Sequence, residues 1–163
     1  MSNVIFPIIC LTIMLVYNAF VLIKYKQVPE SLSNTAYLIG SSNDLKRYWF
    51  TLYCILTAFT ILPALFKVTV DGLEFIPFLL CAGLLFAGFS PSYKDGIEKP
   101  VHYVSAYISF GSFLIYGLVC MHWGWLLLYS ILLIGLCIWK RHCYVYFAEV
   151  LALVELCIWL IVC

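Results

Sequence analysis

The chain has 163 residues, 65% of them hydrophobic and only 10% charged, with a formal net charge of +1. Soluble domains carry roughly 25% charged residues, and a mean hydropathy of +1.05 leaves more apolar surface than a domain of this size can hide. The composition excludes a water-soluble protein, gives no case for nucleic acid as a partner, and predicts an all-α, polytopic transmembrane helix bundle.

A bilayer-crossing helix needs about 20 mostly apolar residues. In chain order, about six stretches qualify: 4–23, 47–67, 73–90, 101–120, 123–140 and 143–163. They make one transmembrane domain over 1–163. The first, MSNVIFPIICLTIMLVYNAF, lacks a basic leader and a small-residue cleavage site, and reads as a retained span. The loop after it, VPESLSNTAYLIGSSNDLKR, is the longest. Pro29 and Glu30 suit a helix start and Gly40 a stop, and Leu32, Ala36 and Ile39 then fall on one face. This predicts a short amphipathic helix, about 30–39, on the cytoplasmic membrane surface, with a re-entrant turn as the competing reading. Ser31 and Ser33 read as local caps before they read as nucleophiles. Ser42 to Asp44 are placed to cap the second span. In the third span, Gly83 and Ala87 form a small-xxx-small contact. The loop SPSYKDGIEKP is polar and turn-rich. Tight turns at MHWGW and WKRHC make the last three spans antiparallel neighbours.

The basic residues set the orientation. Lys24, Lys26, Lys46, Arg47, Lys94, Lys99, Lys140 and Arg141 fall in loops 1, 3 and 5, and only Lys67 falls on the other side. Positively charged loops stay in the cytoplasm, so both termini are expected on the non-cytoplasmic side. Trp49, Trp123, Trp125, Trp139 and Trp159 lie near span ends, where an interfacial aromatic belt belongs. The eight cysteines form no CxxC pair and lie mostly inside apolar runs, as small soft hydrophobes.

The fourth span, HYVSAYISFGSFLIY, carries a polar stripe. His102, Ser105, Ser109, Ser112 and Tyr116 follow at steps of three, four, three and four, and so occupy a sector of about 80°. Such a face either lines a passage or lets helices approach and hydrogen-bond. The last span carries Glu149 and Glu155. A carboxylate near mid-bilayer costs roughly 2.5 kcal/mol or more and needs a partner, a proton or water. Glu149 shares a face with His142, and Glu155 points about 120° away, so the two are not a paired-carboxylate dyad by spacing. His122 is placed about 30 Å from His102 and His142, which disfavours a three-histidine zinc site. A set of His102, His142, Asp95 and Glu149 is geometrically open to a metal, but interfacial histidines are the plainer reading, and no metal or cofactor is expected. No nucleophile elbow, P-loop or dinucleotide fingerprint occurs.

PESLSNTAYLIG after the first span, then FIPFLLCAGLLFAGFSPSYK, then VHYVSAY, resembles small multi-pass membrane proteins of bacteria and their prophages over about 29–107. More distantly the pattern is similar to the six-helix DRAM/Frag-type membrane proteins. That likeness implies a serine-rich motif after the first span, matched by Ser31 and Ser33, and a histidine opening the fourth, matched by His102. Members of that kind place the first loop on the non-cytoplasmic side, the reverse of what the charges here imply.

The leading functional expectation is an oligomeric channel or small-solute or ion passage in the cell's inner (plasma) membrane. The stripe and the two glutamates would line it. The alternatives are a lipid-acting enzyme using His102, Asp95, Ser31 and Ser33, and a non-catalytic anchor or regulator that meets a protein partner at the cytoplasmic loops. Expected partners are membrane lipids and further copies of the chain.

Overall fold

In hydrocarbon every backbone N–H must find its acceptor within its own segment, so long apolar runs become helices. The computed structural model describes residues 2–40, 44–94, 96–121, 123–139 and 142–163. The helices are α1 (Ser2–Tyr25), α2 (Asn34–Gly40), α3 (Tyr48–Val68), α4 (Phe75–Gly88), α5 (Glu98–Val119), α6 (Trp123–Trp139) and α7 (Tyr144–Val162). A 3-10 turn, Asp44–Arg47, leads into α3, and no strand occurs among the described residues. Four helices are long and apolar enough to cross a membrane: α1, α3 with its leading turn, α5 and α7. Helices α4 and α6 are equally apolar but have 14 and 17 residues. At 1.5 Å per residue they extend about 21 and 26 Å, short of the roughly 30 Å of a hydrocarbon core. The four long helices are compatible with a membrane protein, and the surface agrees: Phe59, Leu118, Ile138 and Ile23 are all more than 60% exposed.

The helices pack as a ring in the order α1, α3, α4, α5, α6, α7 and back to α1, with α3 also touching α7 across the middle. Its core holds Cys10 and Met14 of α1, Tyr53, Ile61 and Leu65 of α3, Leu80 of α4, Tyr116 of α5 and Leu156 of α7. Helix α4 makes its two tight contacts with glycine. A Cβ on Gly83 would sit 2.6 Å from the Ser105 carbonyl oxygen and 2.7 Å from the Ser109 nitrogen of α5, and one on Gly88 would strike Cys54 of α3. Ala87 shares the α5-facing side with Gly83, so the small-xxx-small pair of the sequence lies in that contact. The Thr51 hydroxyl donates to the Gly88 carbonyl at 2.6 Å across the other face.

The loops after α1, α4 and α6 gather at one end of the bundle. The Lys94 N–H donates to the Tyr37 hydroxyl at 2.7 Å, the Tyr146 N–H donates to the Glu30 carbonyl at 3.2 Å, and the Cys143 thiol donates to the Val28 carbonyl at 3.6 Å. Lys24, Lys26, Lys46, Arg47, Lys94 and Lys99 therefore belong to one end and Lys67 to the other, while Lys140 and Arg141 lie outside the described residues.

The first loop departs from the surface helix predicted for 30–39. Helix α2 starts only at Asn34, because residues 31–33 turn tightly and the Ser31 Oγ accepts the Asn34 N–H at 3.1 Å as a local cap. Nor does α2 lie on a surface. Thr35 and Ala36 are fully buried, and Leu32, Ser33 and Ile39 nearly so. The segment is inserted into the open end of the ring, where its polar groups find partners on α1 and α7. The cap predicted at Ser42 to Asp44 falls on residues 42 and 43, outside the described residues, and on the Asp44 side chain, which is likewise not described.

Candidate functional site

Two buried polar sites emerge, one at the loop end and one inside the bundle. At the loop end, Ser31 and Ser33 place their hydroxyl oxygens 3.1 Å apart, and the Tyr93 phenol reaches both. Burial pushes that phenol above its ordinary value, while the serine hydroxyls pull it the other way, so Tyr93 enters the cluster neutral. Its ring stacks on His102, with centroids 4.2 Å apart and planes 18° from parallel. His102 Nδ1 lies 3.0 Å from the Ala87 carbonyl. A carbonyl only accepts, so Nδ1 is the protonated ring nitrogen. Ser33, Tyr93 and His102 are all buried. Residues 31, 33, 93 and 102, from three separate segments, thus form one packed cluster.

Two anchors hold the loop against the helices. Glu149 Oε2 accepts the Leu32 N–H at 2.6 Å. The Tyr17 hydroxyl lies 2.6 Å from Thr35 Oγ1, which itself donates to the Leu32 carbonyl at 2.6 Å, so Tyr17 is the donor of the first bond. Beside them Tyr146 donates its hydroxyl to Asn18 Oδ1 at 2.7 Å. Tyr17→Phe is expected to lower stability by about 1 kcal/mol, a typical single hydrogen bond, with the loss seen in thermal unfolding of the detergent-solubilised protein. A stability equal to wild type would show that Thr35 does not use Tyr17 as its donor.

The second site is Glu155. It is 4% exposed, and neither carboxyl oxygen has a hydrogen-bond partner. It faces the α6 backbone at Tyr129 without closing a bond of good geometry. Tyr129 is the one buried residue of α6 among those described, the rest of that helix being exposed or half-buried, and its hydroxyl donates to the Ala148 carbonyl at 3.3 Å. Glu149 and Glu155 are each within electrostatic reach of that phenol.

The α5 stripe points inward along its length. His102, Ser105, Ser112 and Tyr116 are buried and Ser109 is half-buried. Its upper half forms the contact with α4. Ser105 donates to the Val101 carbonyl of its own helix at 2.6 Å, Ser109 donates to the Leu80 carbonyl of α4 at 2.9 Å, and Gly83 lies directly on their backbones. At the far end Tyr116 accepts a bond from Thr69 at 3.3 Å and meets Trp159 of α7 edge-on at 5.8 Å.

The predicted residues therefore divide. Ser31, Ser33 and His102 come together, Glu149 braces the same loop, and Glu155 stands alone in the core. His142 is exposed at the turn before α7. Asp95 and His122 lie outside the described residues, and among the described residues no three of His, Cys, Asp and Glu group closely enough to hold a metal ion. Sequence reasoning missed Tyr93, Tyr17, Thr35 and Tyr129. Only Tyr129 leaves a signal, as an aromatic hydroxyl inside the apolar run WGWLLLYSILLIGLCIW. No protein-family model, curated protein or solved structure matches the chain.

Proposed function

We propose that this chain is a multi-pass membrane protein forming a passage for a small ion or solute, and that it works as a homo-oligomer in the cell's inner (plasma) membrane. The observation that carries this reading is Glu155: a carboxyl group deep in an apolar bundle, without a donor, has no structural return for its burial, and intramembrane carboxyls mark ion and proton pathways. The proposed path runs along α7, past Glu149 and Glu155, and not along the upper half of the α5 stripe, which is occupied by the contact with α4. In this reading all six long and short helices cross the bilayer, the loop end faces the cytoplasm by its charge, and the chain falls with the small bacterial and prophage membrane proteins whose pattern it shares.

The test is ion and small-solute flux in proteoliposomes, with wild type beside Glu155→Gln. Flux that the substitution changes about tenfold or more, a substantial loss for one pathway carboxyl, supports the passage. Absence of flux from folded, reconstituted protein, at every voltage and pH applied, sinks it.

A second reading rests on a separate observation, the convergence of Ser31, Ser33, Tyr93 and His102 at the loop end. Hydroxyls and an imidazole there suit work on the polar head of a membrane lipid. Turnover of lipids in the liposome, lost in His102→Ala and retained in Glu155→Gln, would favour it over the passage.

A further inference from the structure

We propose that the species this pathway handles is the proton: Glu155 is a proton-binding group inside the bundle, and it exchanges with the loop end through Tyr129 and Glu149. The inference builds on the passage reading but is tested by a readout that needs no net flux.

The geometry supplies three stations, two on α7 and one on the adjoining α6. Glu155 and Glu149 are six residues apart on α7, about 9 Å along the axis. Tyr129 bridges that interval from α6. Its backbone lies beside Glu155, and its hydroxyl donates to the Ala148 carbonyl, one residue before Glu149. Glu149 in turn touches the loop through the Leu32 N–H and is only part-buried, whereas Glu155 is 4% exposed. The sequence of groups therefore leads from a carboxyl without a hydrogen-bond partner to one that meets the loop.

A hydroxyl suits the middle position because it donates and accepts at once. In the proposed step the Tyr129 hydroxyl turns from the Ala148 carbonyl, releases its proton toward Glu149 and takes one from Glu155. One O–H bond forms as the other breaks, and the phenol ends neutral. Among the described residues, the titratable groups around this stretch are Tyr129 and Cys137 on α6, Cys54 on α3 beside Glu149, and Cys157 of α7 with its neighbour Cys10 of α1. None of them is a cation that could hold Glu155 as a carboxylate. A metal cation as the bound species would need further ligands, and no such cluster occurs among the described residues.

The test is infrared spectroscopy of the full chain in liposomes, transferred from water to deuterium oxide. A carbonyl band of a protonated carboxyl, absent in Glu155→Gln, is expected in the wild type. Its shift on deuteration should slow about tenfold or more in Tyr129→Phe, which lacks only the relaying hydroxyl, and also in Glu149→Gln. Tyr107→Phe, at an exposed position on the outer face of α5, should leave the rate unchanged. Glu155 is overturned as a proton site if Glu155→Gln removes no such band. The relay is overturned if exchange is insensitive to Tyr129→Phe or responds equally to Tyr107→Phe. Metal-ion or solute flux with an intact, unexchanging Glu155 band would leave the passage standing and remove the proton from it.

Discussion

Gly83→Leu is expected to destabilise the bundle by about 3 kcal/mol or more, at or above the upper range for overpacking a tight contact, while Gly111→Leu should leave it nearly unchanged. Both glycines sit inside helices, so propensity alone favours replacing either. The difference is what a side chain meets. At Gly111 there is nothing within 4 Å of an added Cβ. At Gly83 the obstacle is the backbone of α5, at Ser105 and Ser109, and a backbone cannot turn aside as the end of a flexible side chain can. The helices must part, and the Ser109 bond to Leu80 and the His102 bond to Ala87 part with them. In hydrocarbon no apolar driving force restores the contact, because lipid tails are as apolar as the helix faces. Thermal unfolding in detergent reads the comparison. Equal midpoints for the two variants would mean that α4 and α5 are not in backbone contact at Gly83.

Much of the architecture was legible because it depends on local composition. Apolar length located the helices: the expected stretch 47–67 is α3 at Tyr48–Val68, and 123–140 is α6 at Trp123–Trp139. The expected third span, 73–90, shrinks to Phe75–Gly88, since Leu73 and Glu74 belong to the turn before it. Charge likewise grouped the odd loops before any contact was known. The first loop was harder for a physical reason. An amphipathic heptad such as Asn34–Gly40 looks the same whether its apolar side meets lipid or the open end of a ring. What decides between them is a partner for its backbone polar groups, and that partner, Glu149, lies 117 residues away from Leu32. The α5 stripe had the same ambiguity. Periodicity defines a face but not what faces it, and the answer for Ser105 and Ser109 lies in a glycine of another helix. Glu155 was visible as an intramembrane acid, but its companion Tyr129 could be chosen only once α6 was laid beside α7.

Glu149→Leu should free the first loop, and Glu149→Gln should not. The carboxylate is the acceptor for the Leu32 N–H at 2.6 Å, in a segment where Leu32 itself is buried. Leucine fills similar volume but leaves that N–H without an acceptor, a loss of about 1–3 kcal/mol for a buried donor. Glutamine keeps a carbonyl oxygen at the same reach. The effect is local, because the loop docks as a unit: the turn at Leu32 shares its hydrogen bonds with Thr35 and through it with Tyr17. Hydrogen–deuterium exchange of the amides in 31–36 is therefore expected to quicken about tenfold or more in Glu149→Leu, with the amides of α3 and α5 little changed, as for a sub-global opening. Exchange as slow as wild type would mean that Glu149 does not anchor the loop, and exchange quickened throughout the chain would make Glu149 a support of the whole bundle. The outcome bears on function through position. Glu149 anchors the loop and is also the outer station of the proposed proton path, so in that proposal a proton arriving there would weaken it as an acceptor for the Leu32 N–H, and the loop would be the element that senses the path.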